Sequence, residues 1–182
     1  MLDLSLGGTA TARSLQLDDA PAVHELMTAS REHLDQWLRW SSAIQTLDDA
    51  TALIGRFQAK EAAGDGFHVG IWDKGELAGG AVCWGIHREN RNAEVGYWLG
   101  HAFTGRGLAT RSATAVIEHL FTHEGLHRVE MQCGVANAAS RAVAERCGLA
   151  NEGIRRESHW ITDRFVDHVV YGILDREWAA LN

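Results

Sequence analysis

The stretch Trp98–Thr110, WLGHAFTGRGLAT, constrains the architecture of this 182-residue chain more than any other. An apolar run that reads as a strand ends at Leu99, and glycines follow at 100, 105 and 107. A helical pattern then starts at once, with Ala109, Ala113, Val116, Ile117 and Leu120 on one face. A strand that feeds a helix through so short a loop belongs to a sheet covered by helices. The first amides of a helix have no intrahelical acceptor, and the helix dipole adds positive potential there. Glycines let that backbone come close to an anion. The stretch therefore reads as a cradle for a phosphate or pyrophosphate, although the same glycines would also serve a plain change of direction.

The rest of the chain supplies the elements such a sheet needs. Residues 11 to 16 read as a first strand, and Asp18 as the N-cap of a helix with Pro21 in its first turn. Residues 30 to 40 put Leu34, Trp37 and Leu38 on one helical face, and a third helix runs from Leu47 to Ala63 until Gly64 stops it. Phe67 to Trp72, Leu77 to His87 and Asn92 to Leu99 read as strands joined by polar turns. After the Gly107 helix come a strand at Arg128 to Cys133, a helix at Asn137 to Cys147 closed by Gly148, and strands over 152–161 and 165–174. The order β-α-α-α-β-β-β-α-β-α-β-β is an α/β arrangement around one mixed sheet. With one proline and no linker-like tract, a single domain over 1–182 is expected.

Two familiar phosphate binders are excluded. There is no G-x-x-x-x-G-K-[ST], and Gly105-Arg106-Gly107 lacks the third small residue of the dinucleotide fingerprint. A formal charge of -7 disfavours nucleic-acid partners. Three dispersed cysteines indicate neither disulfides nor a zinc ribbon, and no run suits a signal peptide or membrane span. A cytoplasmic protein without membrane association is expected. His119 and His123 stand four apart on a helix, but they end it and so complement its dipole; no metal is expected. Among the seven tryptophans, Trp72, Trp84, Trp98 and Trp178 are expected in the core. Trp37 and Trp40 suit either the core or a substrate groove, and Asp167 is expected to pair with Arg155 and Arg156.

In these residues the chain resembles the GNAT superfamily of acyltransferases, in particular its RimJ/RimL-type group. Gly105-Arg106-Gly107-Leu108-Ala109 is similar to the family loop, with Thr104 where Arg or Gln is usual. Glu94-Val95-Gly96-Tyr97-Trp98-Leu99 looks like its splayed fourth strand, and Asn137-Ala138-Ala139-Ser140-Arg141 like its N-x-x-S-R helix start. Cys147-Gly148-Leu149 with Glu152-Gly153, and Ser30 to Leu34 with Trp37 and Trp40, extend the likeness over about residues 11 to 178.

The resemblance implies a mostly antiparallel, splayed sheet and acetyl-CoA as cosubstrate, lying where the fourth and fifth strands diverge. Backbone amides of Arg106, Gly107, Leu108, Ala109 and Thr110 would hold the pyrophosphate. Backbone of Trp98, Leu99 and Gly100 would pair with the pantetheine arm, and Asn137 would bond its amides. The acceptor would be a protein N-terminus, or else a small amine, and a homodimer through the C-terminal strands is the analogy. A silent acyl-CoA sensor is the rival reading. The tyrosine that many relatives use as acid is replaced by Ala144, and Ser140 stands where RimL-like relatives carry the serine that takes this role, so the resemblance implies it as proton donor to the thiolate. His159 stands where RimL-like relatives carry a glutamate base, with Glu94 as the second candidate.

Overall fold

A computed structural model describes residues 1–181. The chain order is β1 (Asp3–Ser5), β2 (Ala10–Ser14), α1 (Ala20–Ala29), α2 (Arg31–Asp35), α3 (Leu47–Ala63), β3 (Phe67–Asp73), β4 (Glu76–His87) and β5 (Asn92–Leu99). Then follow α4 (Leu108–Thr122), β6 (Arg128–Gly134), α5 (Ala138–Arg146), β7 (Ala150–Ile161), β8 (Arg164–Leu174) and α6 (Asp175–Leu181). The strands form one open sheet in the order β1-β2-β3-β4-β5-β6-β8-β7. Among the described residues only β5 and β6 run parallel; every other neighbouring pair is antiparallel.

The α/β expectation holds, and the splay has a definite position. The β5–β6 ladder stops at Val95↔Met131, while β5 stays paired to β4 through Leu99 and β6 to β8 through Gly134. The two strands part because each is held by its outer neighbour. On one face Leu108, Val116, Ile117 and Leu120 of α4 and Val143 of α5 join the buried cluster of Val95, Met131 and Cys133. On the other face Val23 and Met27 of α1 and Leu53, Ile54 and Phe57 of α3 close over Val82 and Trp98. Both sides of the gap are thus walled by helices.

Local chemistry explains where the elements stop. Thr46 accepts the Asp49 N–H at 3.2 Å, and Asp49 accepts the Thr46 N–H at 2.9 Å, a reciprocal cap for α3. Gly64, at φ 72°, ends that helix as its sequence predicts.

Several expectations need correction. The first strand is a hairpin, β1 with β2, and α6 follows where the sequence reading ended in strands. The helix expected over 30–40 stops at Asp35, because Arg31 donates to the carbonyls of Ser41 (3.3 Å) and Ile44 (2.6 Å) and folds the following segment back. Asp19, not Asp18, is the working carboxylate before α1: it accepts the Gln16 N–H at 2.8 Å and both Arg13 nitrogens. Trp84, expected in the core, is 39% exposed, where the β4 register shift between Cys83 and Gly85 turns it outward. Trp98 and Trp178 are buried and Trp72 is half-buried beneath the Arg13 guanidinium, 4.2 Å from its ring. Asp167 accepts the Glu157 N–H at 2.8 Å instead of pairing with Arg155 and Arg156.

Candidate active site

Between the parted ends of β5 and β6 lies an open groove of about 2100 Å³. A pocket for one drug-sized ligand occupies roughly 300–1,000 Å³, so this one has room for an extended cofactor and an acceptor together.

One arm ends at the glycine turn. Gly105 (φ 75°) and Gly107 (φ 73°) are left-handed, a conformation that costs other residues about 1–2 kcal/mol. A Cβ at either would meet nothing within 4 Å, so backbone conformation, not crowding, demands glycine. The Gly107 carbonyl accepts the first bond of α4, from the Arg111 N–H at 3.1 Å, which leaves the amides of Leu108, Ala109 and Thr110 free of helical partners. The nearby cations are largely occupied. Arg106 donates to the Ala102 carbonyl at 2.8 Å, and Arg111 to the carbonyls of Leu6 and Gly7 at 3.0 and 2.8 Å. Thr104, in place of Arg or Gln, bonds the His101 carbonyl at 2.9 Å. At this turn the groups left without helical partners are main-chain amides. Arg146 adds a guanidinium at the rim, its Nε donating to Thr110 Oγ1 at 3.2 Å.

The open edge of β5 has its own polarity. Gly100 N–H is bonded to the Ala78 carbonyl at 2.9 Å, and the Trp98 carbonyl faces Gly79 of β4. Peptide groups alternate along a strand, so those of Tyr97 and Leu99 face the gap. Of Trp98, Leu99 and Gly100, only Leu99 offers its N–H and C=O there. Asn137, which lines the groove, caps α5, its Oδ1 accepting the Ser140 N–H at 3.0 Å.

On the α4/α5 face, Ser140 stands in a chain of three side chains. Tyr97 donates its hydroxyl to Ser140 Oγ at 3.3 Å, and Ser140 donates to Cys133 Sγ at 3.3 Å. Burial pushes the Tyr97 phenol up to about 12, so it remains a donor at neutral pH. On the opposite face, which Trp98 shares, Glu94 accepts the Gln132 Nε2–H at 2.9 Å. Burial first, then the Glu130 carboxylate, raises the Glu94 pKa from its ordinary value, against the Gln132 bond and Arg155. His159 lines the groove further out. Its ring lies 3.8 Å from that of His168 and its Nδ1 3.1 Å from Ser158 Oγ. Burial first, then Arg155 and Arg39, lower its pKa.

The other end of the groove is aromatic. Trp37 and Trp40 both line the groove. Trp40 also packs edge-on to Trp84, Trp98 and His68 at 6.4, 6.1 and 6.5 Å, so core and groove are the same place for this residue. The Thr162 hydroxyl, in the β7–β8 turn, reaches the Asp35 carbonyl at 3.4 Å and roofs the groove against α2. His119 and His123 stack at 4.9 Å, with His119 Nε2 3.7 Å from Glu124.

Residues 11–150 match the acetyltransferase (GNAT) domain family. This chain belongs to the GNAT acetyltransferase family. It is 31% identical over 171 residues to YdaF of Bacillus subtilis (strain 168), whose provisional name is ribosomal N-acetyltransferase, covering 93% of each chain. It is 27% identical over 156 residues to the ribosomal-protein-serine acetyltransferase of Escherichia coli (strain K12), covering 85% of this chain and 87% of that one. The GNAT fold is shared with RimL, a ribosomal L7/L12 alpha-N-protein acetyltransferase solved with coenzyme A, at a TM-score of 0.92. That match covers 95% of this chain and 98% of the other at 24% identity. The groove is also lined by Tyr97 and Gln132, to which the sequence assigns no role. Tyr97 was legible as one of only two tyrosines, on the strand beside the gap. Gln132 carried no signal, because an amide on a strand belongs to no motif.

Proposed function

We propose that the chain transfers an acetyl group directly from acetyl-CoA to the α-amino group of a protein N-terminus, with a ribosomal protein as acceptor. The observation that carries this reading is the placement of a hydroxyl donor and a raised-pKa carboxylate on opposite faces of one gap. The diphosphate of coenzyme A sits on the amides of Arg106 to Thr110. The pantetheine arm pairs with the Leu99 and Tyr97 peptide groups as an added strand would, and Asn137 bonds it. The acyl carbon then lies between Ser140 and Glu94.

Glu94 takes a proton from the ammonium, directly or through one water, and the free amine attacks the thioester carbon. Main-chain N–H groups at the open β5 edge stabilise the oxyanion. As the C–S bond breaks, Ser140 Oγ gives its proton to the departing thiolate and recovers one from the new amide nitrogen, while Glu94 passes its proton to solvent. The base is assigned to Glu94 rather than His159 because Glu94 lies at the point of splay. Its raised pKa also lets it hold a proton closer to neutrality. Trp37 and Trp40 line the acceptor arm, and the roof formed by the β7–β8 turn suits an extended peptide end. The names of the relatives in Bacillus subtilis and Escherichia coli support the ribosomal acceptor.

Intact-mass screening of peptide N-termini and small amines with acetyl-CoA tests this. The expected result is one added acetyl group on ribosomal-protein N-termini. Acetylation confined to polyamines or amino sugars overturns the acceptor, and coenzyme binding without any thiol release indicates a sensor. In pH–rate profiles His159→Ala keeps the acidic limb, whereas Glu94→Gln removes it.

A further inference from the structure

We infer that Arg155 and Gln132 are positioning residues that hold the Glu94 carboxylate in register to take the acceptor's proton. This rests on the reading of Glu94 as the base. Arg155 Nη1 donates to Gln132 Oε1 at 3.2 Å, and Gln132 Nε2 donates to Glu94 Oε2 at 2.9 Å. A guanidinium has donors only, so it selects the amide oxygen and thereby points the amide NH2 at the carboxylate. One oxygen of Glu94 is fixed, and Oε1 is left for an amine or a water.

The placement suits the task. Gln132 is the first residue of β6 beyond the last β5–β6 pair, Val95↔Met131, so its side chain stands where the strands open. Arg155 reaches it from β7, across the intervening β8. Without Arg155 the amide is free to turn over and set its oxygen against the carboxylate, a repulsive contact.

The charges around Glu94 fix the direction of the effect. Its cross-strand partner on β6 is Glu130, which accepts Arg128 Nε at 2.8 Å; Arg128 also pairs with Glu152. Arg155 faces Glu94 from β7, Lys60 lines the groove from α3, and His159 and His168 line it from β7 and β8. Lys60 is engaged by the Trp84 carbonyl at 3.0 Å. Burial and Glu130 raise the Glu94 pKa, while the Gln132 bond and Arg155 lower it. A carboxylate base works when deprotonated, so the rate falls as pH drops through its pKa. Loss of Arg155 or Gln132 raises that pKa further, and the acidic limb moves to higher pH.

The test compares Arg155→Met, Arg155→Lys and Gln132→Leu in the full chain, with kcat and KM measured across pH. Arg155→Met is expected to lower kcat at neutral pH by up to about a hundredfold, the scale of a misplaced reacting group. Its acidic limb moves up, KM for acetyl-CoA stays constant, and Arg155→Lys restores most of the profile. The Gln132 side-chain amide, followed in nitrogen–proton spectra during a pH titration, reports the same change without any acceptor. An Arg155→Met limb and amide titration that superimpose on wild type overturn the inference. Glu94→Gln separates the two ideas. If it keeps the acidic limb, the base assignment fails; if it loses the limb while Arg155→Met and Gln132→Leu do not move it, only the positioning role fails.

Discussion

Removing the Tyr97 hydroxyl probes the leaving-group side most cleanly. Tyr97→Phe keeps the ring, which packs beside the α4 and α5 cluster, and deletes one donor to Ser140 Oγ. At 3.3 Å that bond is longer than the usual ~2.7–2.8 Å for O–H···O, so its worth lies at about 1 kcal/mol. Ser140 keeps its bond to Cys133, which leaves no buried hydroxyl wholly unpartnered. If the bond acts mainly in the transition state, as Ser140 gives up its proton, kcat falls about fivefold, since 1.36 kcal/mol is tenfold. Ser140→Ala falls further, roughly a hundredfold, the lower end for a general acid. Because Tyr97 acts only through Ser140, the double variant is no slower than Ser140→Ala. The assay is thiol release at saturating acetyl-CoA, with KM for acetyl-CoA unchanged throughout. A Tyr97→Phe effect that persists in the Ser140→Ala background refutes the serial arrangement, and wild-type turnover in Tyr97→Phe refutes any role for the phenol.

Two further outcomes follow from the geometry. Gly107→Ala forces a side chain onto φ 73° and costs about 1–2 kcal/mol, lowering Tm and coenzyme A affinity together, and Gly107→Asn recovers part of both; unchanged values in the alanine variant contradict the cradle. His68 is buried, its Nε2 accepting the Trp98 Nε1–H at 3.1 Å, and burial lowers its pKa to about 4. The unfolded chain protonates first, so stability present above pH ~6.5 is lost as pH falls toward 4, by about 3 kcal/mol. Denaturant titrations show this as a slope that His68→Gln makes shallower, and an equal slope in both proteins contradicts it.

The parts of the fold carried by short-range chemistry were legible in the sequence. Gly64 and Gly107 mark helix ends that backbone conformation enforces, and the apolar spacing from Ala109 to Leu120 fixes the buried face of α4. What the sequence concealed depends on distant partners. Trp84 reads as a core tryptophan until the β4 bulge turns it outward, and the 30–40 segment reads as one helix until Arg31 bonds its far end. The site divides in the same way. The glycine turn lies in one contiguous run and Asn137 and Ser140 in another, whereas Glu94, Gln132 and Arg155 meet only because β5, β6 and β7 are brought together by the sheet order. Likewise, peptide alternation along β5, set by the Gly100–Ala78 bond, narrows three backbone candidates to Leu99 and introduces Tyr97.

Main-chain amides at the start of α4 are proposed to hold a diphosphate, and calorimetry with coenzyme A and with pantetheine measures this directly. Coenzyme A is predicted to bind, and pantetheine, which keeps the thiol arm but lacks the diphosphate, to bind far more weakly. Equal affinities, or no heat with coenzyme A at high protein concentration, would contradict it.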